Sequence, residues 1–282
     1  PMNANEKDVV VLIGSGQIGQ AIARRVGSGR HIVLADLKQE HADQAARVLE
    51  NTGFTTSTLA VDISSRSSIL GLIDHAQQFG AIKYLINAAG VSPSQASVET
   101  ILNVDLYGTA VLLEEFGKVI EADGSGIIIS SQSGHRLGAL PQEETDQLAM
   151  TPTEELLDLP FLKAINDTLK AYQYSKRCNV LRVMAEANNW GKRGATVNSI
   201  SPGIVITPLA NDELNGPRKE GYRKMLSLCP AGRAGTPDEI GDLAEFLMSH
   251  KGRFISGSDI LIDGGTTASY WFGDLQYLKQ TH

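Results

Sequence analysis

Val9-Val10-Val11-Leu12-Ile13-Gly14-Ser15-Gly16-Gln17-Ile18-Gly19 decides how this chain folds. The five apolar residues before the first glycine read as a β-strand covered on both faces. A periodic pattern from Ile18 to Val26 reads as the helix that follows. Glycines at this spacing allow a tight turn and bring backbone N–H groups against a pyrophosphate at the helix N-terminus. Alone, Gly-x-Gly-x-x-Gly is a weak signal; a strand before it and a helix after it raise it to a dinucleotide fingerprint. Asp36 ends the next apolar run, 22 residues beyond Gly14. A carboxylate there accepts hydrogen bonds from ribose hydroxyls and repels a 2′-phosphate. NAD(H) is therefore expected in preference to NADP(H), held by Gly14, Ser15, Gly16, Gln17, Ile18, Gly19, Asp36 and Leu37. Arg24, Arg25 and Lys38 are nearby cations, read as solvated.

Outward from this stretch, short β-branched runs alternate with longer periodic ones. Strands are expected at Val9–Ile13, Ile32–Ala35, Thr56–Val61, Tyr84–Ile86, Ile127–Ser130, Thr196–Ile200 and Ile260–Ile262. Helices are expected at Ile18–Val26, His41–Asn51, Ser68–Phe79, Val104–Ile120, Leu169–Asn189 and Asp238–Ser249. This alternation predicts an α/β fold: a Rossmann-type, doubly wound parallel sheet of about seven strands with helices on both faces. No repeat or linker divides the chain, so residues 1–282 are expected to form a single domain. Residues 135–171 break the rhythm as a helical insertion. Within it Thr151-Pro152-Thr153-Glu154 reads as a helix start with Thr151 as N-cap and Glu154 completing a capping box.

Composition narrows the function classes. A net charge of −7 gives no basic surface for nucleic acid or an anionic membrane. Cys178 and Cys229 have neither metal-ligand nor Cys-x-x-Cys spacing and are expected to be reduced, partly buried thiols; no metal site is expected. No run approaches the ~18 apolar residues of a membrane span, and Val9–Ile13 is too short for a signal-peptide core. A soluble cytoplasmic protein is the expectation.

The chemistry enters at Tyr172-Gln173-Tyr174-Ser175-Lys176. On a helix, Tyr172 and Lys176 share one face. A free phenol has a pKa near ~10, and an adjacent ammonium favours the phenolate. The pair forms a general acid/base suited to a secondary alcohol or ketone. Tyr174 points about 160° away from Lys176 and reads as packing. His135 reads as a satisfied or exposed loop residue, and Trp271 and Phe272 as cover for a substrate or a subunit contact.

Four further stretches complete a resemblance that covers nearly the whole chain: Asn87-Ala88-Ala89-Gly90, Ser130-Ser131-Gln132-Ser133-Gly134, Asn198 to Gly203 followed by Val205 and Thr207, and Ile262-Asp263-Gly264-Gly265. Together with the glycine loop and the Tyr/Lys pair, they resemble the short-chain dehydrogenase/reductase family. The resemblance implies that Ser131 hydrogen-bonds the reacting oxygen, that Tyr172 and Lys176 are the catalytic pair, and that Lys176 also grips the nicotinamide ribose. It implies that Asp62, with Ile63 beside it, meets the adenine, and that Asn87, Ala88, Ala89 and Gly90 lie along the cofactor. Pro202, Gly203, Val205 and Thr207 would then hold the nicotinamide end. A substrate lid is expected at 208–226, and a homodimer or homotetramer through the helices at Val104–Ile120 and Leu169–Asn189.

Three features depart from the family pattern. The glycine loop is one residue shorter than usual, with Ile13 in place of a threonine. The catalytic asparagine falls on Asp105, unless a register shift assigns the role to Asn103. Ser131 and Tyr172 lie 41 positions apart, an insertion that resembles the bacterial 3α-hydroxysteroid dehydrogenase/carbonyl reductase subgroup. Leu156, Leu157, Leu159, Phe161 and Leu162 would then face inward as an apolar lid, with the acidic residues of the insertion in water. A rival reading has the insertion pack only against the fold or a neighbouring subunit. The expected activity is reversible, NAD-dependent oxidation of a secondary alcohol, with a hydroxysteroid or other bulky hydrophobic carbonyl compound as substrate. Reduction of a 3-oxoacyl thioester and non-catalytic NAD(H) sensing are the alternatives.

Overall fold

The computed structural model describes residues 7–217 and 219–281. Seven strands, β1 (Val9–Ile13), β2 (His31–Asp36), β3 (Thr55–Ala60), β4 (Ile82–Asn87), β5 (Ser125–Ile129), β6 (Thr196–Pro202) and β7 (Asp259–Ile262), pair in the order β3-β2-β1-β4-β5-β6-β7. Every pairing is parallel. All seven lie where the β-branched runs predict them. The order reverses between β1 and β4, which opens a crevice at their C-terminal ends, where open α/β sheets bind ligands.

Period-two alternation sends Val9, Val11 and Ile13 to one face of the sheet and Val10 and Leu12 to the other. Around the strands run α1 (Gln17–Val26), α2 (Gln39–Glu50), α3 (Arg66–Gln77), α4 (Val98–Ile101), α5 (Thr109–Phe116), α6 (Gln132–Arg136), α7 (Gln142–Met150), α8 (Pro160–Lys163), α9 (Thr168–Lys192), α10 (Pro208–Asn215), α11 (Lys219–Leu228), α12 (Pro237–Met248) and α13 (Thr266–Phe272). The first face packs on α3, α5 and α9 through residues such as Leu72, Phe116 and Val183. The second packs on α1, α2 and α12 through Ile22, Leu49 and Leu247. Trp190 anchors the end of α9. It is fully buried, donates Nε1–H to the Leu113 carbonyl at 3.0 Å, and fills space left by a glycine on β5. A Cβ at Gly126 would come within 2.6 Å of its ring.

Two expectations change. The helix predicted from Val104 starts at Val98 and passes through a π-helical turn, Leu102–Gly108, before α5. Such turns accommodate an extra residue and often occur at functional sites. The capping box at 151–154 does not form. The helix there is a 3₁₀ turn over Thr153–Asp158 without a side-chain cap. Glu154 instead accepts hydrogen bonds from Arg66 at 2.8 Å and from the Tyr107 hydroxyl at 2.8 Å. Thr153 donates to Glu114 at 2.7 Å and accepts from Arg182 at 3.1 Å. Charge-assisted long-range bonds displace the weaker local cap.

The leucines of the insertion form a third core. Leu156, Leu159 and Leu162 are buried with Leu106, Ala110 and Cys178, and Leu157 and Phe161 pack beside them. This is the side of α9 turned away from Tyr172, so the inward-facing apolar lid expected of these residues is not present. The insertion packs against the fold. Glu154 stays on the exposed outer face, as expected of the insertion's acidic residues, and there pairs with Arg66.

Candidate active site

A groove of about 940 Å³ runs along the C-terminal ends of β1 to β4. Gly14, Ser15, Gly16, Gln17, Asp36, Leu37, Asp62, Ile63, Ala88, Ala89 and Gly90 all line it. Gly14 has φ +87°, and a Cβ there would meet the Ala89 nitrogen at 2.6 Å, so β1 and β4 can close on each other only at a glycine. A Cβ at Gly16 would meet nothing within 4 Å, so that backbone faces the open groove. Gly19 serves the fold instead: a Cβ there would strike the Leu12 side chain at 2.6 Å. Ile18 packs on the second core, and buried Asn87 accepts the Ala89 N–H at 3.2 Å to shape the loop. The open backbone at Gly16 and the carboxylate at the end of the neighbouring strand β2 fit the pyrophosphate and ribose of a dinucleotide.

Asp36 is held in place before any ligand arrives. Its Oδ2 accepts from the Ser15 hydroxyl at 2.7 Å and the Ser15 N–H at 3.1 Å, and its Oδ1 accepts from the Lys38 N–H at 3.0 Å. Burial opposes its ionisation, but these bonds, with the field of His41, hold its pKa below the ordinary carboxylate range. A carboxylate has about four acceptor positions. With Oδ2 filled by Ser15, Oδ1 retains capacity for one ribose hydroxyl. Arg25 turns away to Asp242 and Asp238, whereas Arg24 and His41 line the groove. Asp62 is committed through Oδ1 to the Ser64 N–H and hydroxyl, at 3.0 and 2.6 Å.

Beyond the groove, β5, the π-helical turn and α9 converge. The Lys176 ammonium lies 5.5 Å from the centre of the Tyr172 ring and donates to the Ile129 carbonyl at 3.3 Å. The Ser130 hydroxyl donates to the Lys176 carbonyl at 3.0 Å, which ties the helix to the end of β5. Ser131 caps α6, its buried hydroxyl accepting the Ser133 N–H at 3.1 Å. Asp105 is 2 % exposed, and its Oδ1 accepts the Val91 N–H at 2.9 Å. A Cβ at Gly90 would be 3.2 Å from that oxygen and 3.7 Å from the Lys176 nitrogen, so Gly90 separates the two charges. Burial pushes the Asp105 carboxyl up to about 6, against the opposing pull of the Lys176 charge and the Val91 N–H. Asn103 is half-buried and donates to the Glu99 carbonyl on its own helix.

The loop expected to face the nicotinamide is pinned by neighbouring strands. Pro202 ends β6, Gly203 donates to the Ile262 carbonyl at 2.9 Å, and Val205 bridges to Gly235. The Thr207 hydroxyl accepts the Ala210 N–H at 3.2 Å as α10 begins. The segment expected to form a lid, 208–226, falls on α10 and α11, and Pro208 reaches the groove.

Asn179 escaped the sequence reading. Its side chain donates to the Asp105 carbonyl at 2.8 Å. Its position three residues beyond Lys176, on the same helix face, was the available signal. Tyr174 packs on Phe161, with centroids 6.0 Å apart, as its angle predicted. His135 is satisfied by Asp259 at 2.6 Å, and the Trp271 indole donates to the His135 carbonyl at 3.0 Å. Both cysteines are buried and free. No described helix is long and apolar enough to cross a membrane.

The chain matches the family model described as enoyl-(acyl carrier protein) reductase over residues 14–152 and 159–267. It is 36% identical over 264 residues to the short-chain dehydrogenase/reductase bsc3 of Alternaria brassicicola, covering 93% of this chain and 96% of that one. It is 31% identical to the D-threitol dehydrogenase of Mycolicibacterium smegmatis, covering 93% of each. In fold it resembles a short-chain dehydrogenase/reductase from Serratia marcescens, with a TM-score of 0.73 at 22% identity over 94% of this chain and 100% of that one. With the parallel sheet, the glycine groove and the Tyr/Lys helix all in place, the chain belongs to the short-chain dehydrogenase/reductase family and is an oxidoreductase acting on CH–OH groups.

Proposed function

We propose that this enzyme interconverts a secondary alcohol and a ketone with NAD(H) in preference to NADP(H), using Ser131, Tyr172, Lys176 and Asp105. The observation that carries the reading is the Lys176 ammonium, buried 5.5 Å from the Tyr172 ring and fixed to the end of β5. A cation beside a phenol stabilises the phenolate, so Tyr172 can take a proton from a carbinol hydroxyl at its Oη or return one to a ketone oxygen. Ser131, held at the α6 N-cap, orients and polarises that oxygen. A bound nicotinamide supplies the hydride chemistry. Pro202, Gly203, Val205 and Thr207 orient its end of the site, and Asp36 selects the ribose that lacks a 2′-phosphate.

Bulky, largely apolar alcohols, with hydroxysteroids as the type, are the finer substrate reading. Support comes from the half-buried α11 residues Met225 and Leu226 on the lid side, rather than from the insertion. Since the insertion covers the outward sides of α5 and α9, a homodimer is favoured over a tetramer built through those helices. Light scattering at micromolar concentration checks this assignment; a tetramer or a monomer would contradict it. A second reading, reduction of a 3-oxoacyl thioester, shares only the acyl-thioester substrate class with the description of the matching family model. A deuterium-transfer assay separates the two readings. Carbinol-deuterated secondary alcohols should pass deuterium to NAD⁺, and NADPH should support little turnover of an acetoacetyl thioester. Rapid NADPH-linked thioester reduction without alcohol oxidation would overturn the proposal.

A further inference from the structure

The segment that follows Ser131 carries polar atoms that nothing among the described residues satisfies. Gln132 Oε1 and Arg136 Nε are both buried without a hydrogen-bond partner. They lie one turn apart on the same side of α6. Across from them on α13, Thr267 Oγ1 is also buried and unpartnered. Gln132 and Thr267 are each 7% exposed.

These three side chains gather around Asp263. A Cβ at Gly203 would be 2.8 Å from the Asp263 Cα and 3.1 Å from Gln132 Oε1. The Thr267 N–H donates to Asp263 Oδ2 at 2.7 Å, and the Gly265 N–H donates to Oδ1 at 3.0 Å. Arg136 is buried enough to lower its pKa, opposed by the fields of Tyr270 and Asp263. Its guanidinium lies 5.4 Å from the Tyr270 ring, and one terminal nitrogen is 3.9 Å from the Met225 sulfur, a weak acceptor. The cluster therefore sits between the Ser131 helix, the loop after Pro202 and the α11 side of the lid.

Its chemistry selects a ligand class. One orphaned acceptor, one orphaned N–H donor and one hydroxyl match a hydroxyl group, which donates once and accepts twice. A ketone oxygen uses the two donors. An anion fits poorly, because the nearby Asp263 carboxylate and the Gln132 carbonyl oxygen would repel it. We propose that Gln132, Arg136 and Thr267 form a polar subsite for a second, neutral oxygen function of the substrate. The enzyme would then prefer a diol or hydroxyketone to a mono-alcohol of equal size. This deepens, and rests on, the alcohol/ketone reading above.

The test uses two series of equal bulk, the cyclohexanediols and the methylcyclohexanols, in which a methyl replaces the second hydroxyl. Two readouts are taken: kcat/KM with NAD⁺, and calorimetric binding to the NADH-loaded protein. The diol-to-methyl ratio of the best isomer should be about tenfold or more, because a site built to hydrogen-bond a hydroxyl rejects an analogue that lacks it. Arg136→Met and Gln132→Met should each erase most of that ratio, and Thr267→Val should lower it severalfold. The valine variant removes one hydroxyl and keeps the side-chain shape, so it supplies the answer if the other two fail to fold. A ratio near one, or a ratio untouched by Thr267→Val, overturns the subsite and leaves these side chains a purely structural role. Diol binding without any turnover would uphold the subsite and sink the alcohol-oxidation reading. Turnover without diol preference would do the reverse, and neither binding nor turnover would overturn both.

Discussion

The two sides of α9 make opposite use of the same helix. Toward the sheet it presents Lys176, Asn179 and Val183, with Tyr172 at the head of that face. Their partners are the end of β5, the Asp105 carbonyl and the first core. Away from the sheet it presents Tyr174, Cys178 and Leu181, which the insertion covers with Leu156, Leu159 and Leu162. Cys178 shows how dry that side is, since burial pushes its thiol up to about 12 despite the field of Arg182. The polar side gathers the charged and hydrogen-bonding groups proposed to transfer the proton; the apolar side is a packing surface. The difference teaches that a long insertion beginning and ending beside reacting residues need not wall the reaction. Its ends touch the site, while its body braces the helix that carries the site.

The largest effect should separate the two tyrosines of that helix. Tyr172→Phe removes the proposed proton carrier and should lower kcat by about 10³-fold, within the range for loss of a general acid/base. Tyr174→Phe should change it by less than about twofold. Steady-state kinetics with NAD⁺ and a secondary alcohol checks both, and comparable losses in the two variants would break the comparison.

Cofactor choice comes next. Asp36→Ala removes the ribose acceptor and the charge facing a 2′-phosphate, so the NAD(H)-over-NADP(H) affinity ratio should fall by at least about tenfold. Fluorescence titration with both reduced cofactors measures it. Equal affinities in the unmodified protein would refute the assignment to Asp36.

Asp105 should show a pH signature. Burial lifts its carboxyl from 3.8 to about 6, so its ionisation opposes folding progressively as pH rises from about 4 to 6 and by a constant amount above that. Asp105→Asn removes this opposition while keeping an oxygen for the Val91 N–H. The variant should gain stability at pH 8, by about 3 kcal/mol at most, and the gain should vanish below about pH 4. Thermal unfolding across that range decides it. A gain that grows as pH falls would carry the wrong sign.

Much of this molecule was legible in its residues. The central strands were, because buried parallel strands are near-continuous apolar runs, whereas the half-exposed β3 was marked by its β-branched residues. The nucleotide groove was, because Gly14 and Gly16 answer local backbone demands and Asp36 closes the next strand. What stayed hidden depended on partners far away in sequence. The capping signal at Thr151 and Glu154 was locally sound, but Arg66, 88 residues from Glu154, takes the carboxylate. The packing of Leu156 and Leu159 was ambiguous because an apolar residue does not reveal which of two faces it will cover. The setting of Asp105 depends on a π-helical turn that no spacing rule marks. Gln132, Arg136 and Thr267 carry no motif and meet only in the folded chain.

Leu156→Ala tests the division of labour on α9 most directly, through kcat/KM for a bulky and a small secondary alcohol measured well below the unfolding temperature. If the insertion braces the helix without lining the site, the variant should lose about 2–4 kcal/mol of stability by opening a cavity in the third core. Its preference for the bulky over the small alcohol should stay within about twofold of the unmodified value. A loss of that preference by tenfold or more, with the unfolding temperature unchanged, would show that Leu156 faces the substrate and contradict the account.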